Sequence, residues 1–313
     1  MYSQLIRKFI DQEALPETYA IDAESWFVPL AEHIAARHRK ERNPLVVGIT
    51  GAQGTGKSTL AKLTNALLTK NGCRVTSLSI DDFYLSRHAR ARLAETVHPL
   101  LASRGVPGTH DTPLALSTLT ALESAGAADQ VLIPAFNKSE DDCVIKDYWL
   151  SVNGPIDVIL LEGWFVGASS MSDTKLLNPV NELEQTEDKE GVWRRYVNQQ
   201  LSLDYQTLFR RINELVMLQA PSFDKVFEWR SKQEQKLKNK IGNKAKGVMD
   251  STELHRFIQH YERLTRHCLV TLPAQADVVF RLDNNHRVIE RLAKTVQGSV
   301  SYTHLTLPTN REV

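Results

Sequence analysis

Leu45-Val46-Val47-Gly48-Ile49-Thr50 runs directly into Gly51-Ala52-Gln53-Gly54-Thr55-Gly56-Lys57-Ser58-Thr59, and this junction decides the fold. A short apolar run rich in β-branched residues, a glycine-rich loop closing in Gly-Lys-Ser, and then Leu60, Leu63 and Leu67 at helical spacing form a strand, phosphate loop and helix unit. Gly51 and Gly56 let the backbone bend so that successive N–H groups converge on phosphate oxygens. The helix starting near Lys57 aims its positive end at the same anion. Residues 51–59 together are the expected ATP cradle, with Lys57 between the β- and γ-phosphates and the Ser58 hydroxyl on Mg²⁺.

Working outward, Val75, Leu78 and Ile80 alternate with polar neighbours as a second strand that delivers Asp81-Asp82-Phe83-Tyr84 at its C-terminal end. In open parallel sheets ligands bind on that side. Ile156 to Leu161 is almost uniformly apolar, as a parallel strand covered on both faces should be, and it empties into Glu162-Gly163-Trp164. Leu215–Leu218 and Ala276–Leu282 read as further strands, Val288–Val296 as a last helix, and Leu254, Phe257, Ile258, Tyr261 and Leu264 as an amphipathic helix capped by Asp250 or Ser251. Between them lie a short strand at Val131–Pro134, a polar turn from Ala135 to Asp142, and a polar surface excursion over residues 168–192. Strands alternating with helices, with no hairpin signal, predict an α/β fold: a three-layer αβα phosphate-loop domain around a mostly parallel sheet. Residues 1–43 are expected as a helical extension packed on that core, residues 44–297 as the domain itself, and 298–313 as a non-native or irregular tail, because Ser301 to Val313 continues no pattern and resembles translated adapter sequence.

Size and charge narrow the function. The 313 residues carry 38 Lys and Arg against 37 Asp and Glu, so no global field argues for nucleic acid or an anionic membrane surface. Cys73, Cys143 and Cys268 are far apart and show no Cys-x-x-Cys pairing, which suggests neither a disulfide framework nor a zinc site and fits a reducing cytoplasm. No apolar run approaches the ~20 residues that a membrane span needs. The expected partner is a small molecule, and nothing in the sequence specifies an oligomeric state.

A phosphate loop says nucleotide, not reaction. A GTPase needs Asn-Lys-x-Asp to read guanine, and Asn137-Lys138-Ser139-Glu140-Asp141 has its aspartate one place too late. The Leu-Ser-Gly-Gly of transporter ATPases is absent. A small-molecule kinase instead needs a carboxylate beside the acceptor hydroxyl, because an alcohol is a poor nucleophile unless its proton has somewhere to go. Asp81 stands where that base belongs, and Glu162, at the tip of another strand, suits Mg²⁺. Asp82 competes between the acceptor and capping the following turn. Lys57, Arg230 and Lys138 are the candidate cations for the transferring phosphoryl group, whereas the lysines from Lys232 to Lys246 read as a solvated helix face or lid.

These stretches, with Arg104-Gly105-Val106-Pro107-Gly108-Thr109-His110-Asp111 and Pro134-Ala135-Phe136-Asn137-Lys138-Ser139, together resemble P-loop kinases that include plant-type D-glycerate 3-kinase, with uridine kinase, phosphoribulokinase and bacterial pantothenate kinase more distant. The resemblance spans about residues 45–290. It implies Asp81 as catalytic base, Glu162 as a metal or active-site carboxylate, and Arg104, His110 and Asp111 as candidates for acceptor binding; Asp82, Tyr84 and Lys138, in the adjoining stretches, are expected on the substrate side. It further implies that Trp229-Arg230 with Gln233-Glu234 belongs to a helical lid whose arginine closes on the phosphates. A guanidinium fork at Arg104 would suit a small carboxylic acid such as glycerate. One departure stands out: Glu140-Asp141-Asp142-Cys143 replaces the glycines and Gly-Asp-Arg of many glycerate kinases. The opposing expectations are a uridine- or pantothenate-type kinase of another acceptor and a regulatory ATPase that needs no acceptor.

Overall fold

The computed structural model describes residues 2–241, 249–294 and 300–304, with side chains throughout except at 236–241 and 300–304. Its strands, in chain order, are β1 (Leu45–Thr50), β2 (Val75–Ser79), β3 (Gln130–Ile133), β4 (Phe136–Asn137), β5 (Asp142–Cys143), β6 (Leu150–Asn153), β7 (Val158–Gly163), β8 (Glu214–Gln219), β9 (Val278–Leu282), β10 (Val288–Lys294) and β11 (Val300–His304). Seven of these form one sheet in the order β11-β10-β9-β8-β1-β7-β2. The five from β9 to β2 are parallel, with Val47 facing Leu160 on one side and Glu214 on the other. β1 is central, and every one of its residues is buried, as its continuous apolar run requires.

Helices cover both faces. α1 (Ser3–Glu13), α2 (Tyr19–Asp22), a π turn at Ala23–Phe27, α3 (Val28–Glu41) and α4 (Lys57–Lys70) lie on one side, where Leu30, Ile34, Leu63 and Leu67 share a core with Val47 and Phe280. α5 (Arg87–Thr96) precedes α6 (Thr112–Ser124), and α7 (Glu182–Glu187), α8 (Val192–Ser202) and α9 (Asp204–Phe209) follow β7. α10 (Phe223–Ile241) then leads to α11 (Ser251–Gln275). Leu119 of α6, Tyr205 of α9 and Leu264 and Leu272 of α11 pack with Ile159, Leu161 and Val279 on the opposite face. α11 starts with a capping box in which the Asp250 side chain accepts from the Glu253 N–H and the Glu253 side chain accepts from the Asp250 N–H. Among the described residues no helix is long and apolar enough to cross a membrane.

The sequence reading fails at several places. The expected polar turn at 135–142 carries the antiparallel β4–β5 pair, and residues 87–96 of a stretch that is loop-like in sequence form α5. Three further differences have a local cause. Val288–Lys294 is a strand, not a helix, because Asp283 accepts from the N–H groups of Asn285 and Arg287 and His286 adopts a left-handed φ of 66°, turning the chain back along β9. Residues 295–296 of the expected helix lie outside the described residues. In the expected irregular tail, Val300–His304 pairs antiparallel with β10, while 298, 299 and 305–313 lie outside the described residues. The excursion at 168–192 is not a purely polar surface: Glu184 and Asp188 are buried, the first gripped by Arg263 at 2.7 and 2.5 Å and the second by Arg194 at 3.0 Å. Its charges pair inward, which composition alone does not reveal.

Candidate active site

The C-terminal ends of β1, β2 and β7 open into a cleft of about 970 Å³. Gln53, Gly54, Gly56, Lys57, Ser58 and Thr59 line it, whereas Ala52 and Thr55 are buried with Gly51 behind the lining. Gly51 leaves no room for a side chain, since a Cβ there would stand 2.9 Å from the Leu218 carbonyl oxygen and 2.7 Å from Thr55 Oγ1. Gly54 and Gly56 sit at φ of 81° and 89°, which only glycine adopts without strain. The Thr55 hydroxyl donates to the Ala52 carbonyl at 2.8 Å and closes the loop. No side chain caps the first turn of α4, so its N–H groups and the helix dipole are available to an anion.

Ser58 Oγ donates to Glu162 Oε1 at 3.0 Å, bringing together the two residues expected to hold a metal. Glu162 Oε2 is buried with no hydrogen-bond partner among the described residues. A buried carboxylate oxygen without a donor is costly, and a divalent cation satisfies it. The donor set therefore fits Mg²⁺.

Asp81 sits on a 3₁₀ turn spanning Ile80–Phe83 at the end of β2. Its Oδ1 accepts from the Tyr84 hydroxyl at 2.9 Å and its Oδ2 from the Lys138 ammonium at 2.6 Å. Burial alone would raise the Asp81 pKa, but the charge and hydrogen bond of Lys138 overcome it and hold the carboxyl below the usual aspartate value. Tyr84, Lys138 and Arg104 line the same cleft. The Arg104 guanidinium is paired with Asp141 and lies 5.4 Å from the Phe136 ring centroid. On the far wall Arg230 projects from α10, pairing with Glu234 at 3.0 Å and lying over Phe257.

Three expected acceptor residues do other work. Asp82 does not line the cleft; burial lifts its pKa to about 6 while the Phe136 N–H bonds to it. His110 is buried behind Tyr84, stacked at 4.4 Å, with Nδ1 2.7 Å from the Tyr205 hydroxyl, and burial lowers its pKa to about 3, leaving it neutral. Asp111 caps α6 by accepting from the Leu114 N–H at 2.9 Å. Asp-Thr-Pro was a readable helix start.

Other lining groups escaped the sequence reading. Asn284, Asn285 and His286 come from the β9–β10 turn, with His286 Nε2 2.9 Å from the Gly54 carbonyl oxygen. The Trp229 ring stacks on His286 at 3.9 Å. Reading β10 as a helix hid the turn, although Asp-Asn-Asn is itself a turn signal. Trp164 and Tyr261 also line the cleft and fasten the 104–105 backbone, by Trp164 Nε1–H to the Gly105 carbonyl at 3.0 Å and Tyr261 O–H to the Arg104 carbonyl at 3.2 Å.

No protein-family profile matches the sequence. The chain is 34% identical over 232 residues to an uncharacterized kinase, mug58, of Schizosaccharomyces pombe, covering 71% of this chain and 80% of that one. It is 28% identical over 295 residues to the chloroplastic D-glycerate 3-kinase of Arabidopsis thaliana, covering 87% of this chain and 60% of the plant protein. Among solved structures, D-glycerate 3-kinase from Cryptococcus neoformans superposes with a TM-score of 0.70 at 28% identity, covering 85% of this chain and 97% of that one.

Proposed function

The chain belongs to the P-loop kinases that include D-glycerate 3-kinase, and from that premise we propose that it transfers the γ-phosphoryl group of ATP to a hydroxyl of a small carboxylic acid, D-glycerate being the best single acceptor. One observation carries the reading: Asp81, a carboxylate held ionised, shares a cleft with the phosphate loop and with the Ser58–Glu162 pair. Lys57 and the N–H groups of residues 54–58 would hold the triphosphate. Mg²⁺, bound by Ser58 and Glu162, would supply charge neutralisation at the phosphates. Arg104 would take the acceptor carboxylate, and the acceptor hydroxyl would replace the Lys138 ammonium at Asp81 Oδ2. Asp81 then accepts the hydroxyl proton as the phosphoryl group arrives, while Lys57, Lys138 and Arg230 offset the charge on it. Tyr84 spends its hydroxyl on Asp81 and so orients the base.

Purified protein given ATP, Mg²⁺ and a panel of D-glycerate, uridine, pantothenate and ribulose 5-phosphate tests the proposal through ADP release. Rapid, acceptor-dependent release with D-glycerate is expected. ADP release indifferent to every acceptor would favour a regulatory ATPase instead. Asp81→Asn should lower kcat at least a hundredfold, as expected of a lost general base, while ATP still binds within about threefold of the original affinity; undiminished turnover would remove Asp81 from the role.

A further inference from the structure

We infer that Asp141 is a resident carboxylate that occupies the anion seat of Arg104 and is exchanged for the carboxylate of the incoming acceptor, which makes it a specificity-determining residue. The inference rests on the kinase reading above and adds a device that the reading does not contain. Arg104 lines the cleft, yet its guanidinium is already paired with Asp141 Oδ1. A carboxylate on a guanidinium is the contact that a small carboxylic acid would itself make. The chain therefore carries its own occupant for that seat.

The occupant is built to leave without becoming unpaired. Asp141 Oδ2 lies 3.0 Å from the Arg90 guanidinium, which also donates to the Asp141 carbonyl at 2.7 Å. Arg90 is 1% exposed and is fixed by the carbonyls of Leu85 and Ala102, so this second anchor stays in place. The Asp141 side chain is 37% exposed and that of Arg104 28%, leaving room for rotation and for solvent. Displacement trades one carboxylate on Arg104 for another and keeps the displaced one on Arg90. A neutral acceptor has nothing to trade. Arg104 thus stays neutralised against ligands without an anionic group, and affinity for those with one is reduced by the competition.

Asp141 adopts a left-handed φ of 56°, which asparagine tolerates, so Asp141→Asn keeps the turn while removing the charge. Equilibrium titration of the full chain with D-glycerate, followed by calorimetry with ATP omitted, reads the exchange independently of turnover. Asp141→Asn should tighten D-glycerate binding roughly two- to fivefold, the range expected for releasing a partly exposed ion pair, and leave glycerol binding unchanged. In an Arg104→Gln background the same substitution should change nothing. Unaltered or weaker D-glycerate binding in Asp141→Asn, equal tightening for glycerol, persistence of the gain without Arg104, or no D-glycerate binding by either form would each overturn the inference. If binding tightens as expected but no acceptor is phosphorylated, the exchange stands and the kinase reading fails.

Discussion

At the residue scale, the contest at Asp81 is between burial and a neighbouring ammonium, and the ammonium wins. A base so held is ionised well below neutral pH, so its protonation should not limit turnover near neutrality. Lys138→Met removes the opposing charge and leaves burial unopposed, raising the Asp81 pKa. The acid limb of the kcat/KM profile should then move to higher pH, as expected when a close opposite charge is removed from a buried carboxylate. An unmoved limb would show that Lys138 does not set the state of Asp81. Sequence pattern put Asp81, Ser58 and Glu162 at the C-terminal edge of the sheet, and all three line one cleft, because Asp81 follows β2, Glu162 lies at the end of β7 and Ser58 opens the helix after the β1 loop. His110 and Asp111 were misplaced for a physical reason: titratable residues in a loop can face a cap or a core as readily as a ligand, and only packing decides which.

At the element scale, the β9–β10 turn and α10 press on the phosphate loop from outside. A Cβ on Gly54 would stand 2.9 Å from Trp229 Cβ, and the residue already sits at φ 81°. Gly54→Ala therefore combines backbone strain with a clash against Trp229 of α10. It should raise the KM for ATP about tenfold, equivalent to the 1–3 kcal/mol of a strained residue partly relaxed, with a smaller change in kcat. Steady-state kinetics at varied ATP reads this, and an unchanged KM would mean that the Trp229–Gly54 contact is not maintained when nucleotide binds. The parallel core was legible because β1 and β7 are nearly continuous apolar runs and β2, at the sheet edge, alternates. β10 was not, since Val288–Lys294 alternates poorly: Glu290 turns inward to meet Arg281 at 2.6 Å while Ile289 is 52% exposed. Its ion pair inverts the hydrophobic pattern on which strand recognition depends.

At the scale of the whole molecule, an ion pair ties the N-terminal helices to the turn at the nucleotide end of the cleft. Asp22, 1% exposed at the end of α2, accepts from Arg287 Nε at 2.9 Å and Nη2 at 3.0 Å, and Arg287 follows directly on His286. Sequence periodicity gave helices to residues 1–43, but a contact across 265 positions has no local signature. Arg287→Met would leave the buried Asp22 carboxylate without its ion partner, with the Val288 N–H at 3.4 Å still donating to it. Buried pairs broken from one side cost about 3–5 kcal/mol; because Arg287 is 32% exposed, a loss of about 2–3 kcal/mol is expected here. Urea unfolding should show that loss as a lower midpoint at constant slope, and Asp22→Asn combined with Arg287→Met should recover part of it, since the stranded charge is then gone. The same substitution loosens the turn that holds His286 against the Gly54 carbonyl, so the KM for ATP should rise in Arg287→Met while the KM for the acceptor stays within twofold. A stability change under about 0.5 kcal/mol, the ordinary range for a surface position, would show that the extension is not coupled to the cleft through this pair. A stability loss with both KM values unchanged would confine the pair to holding the helices down.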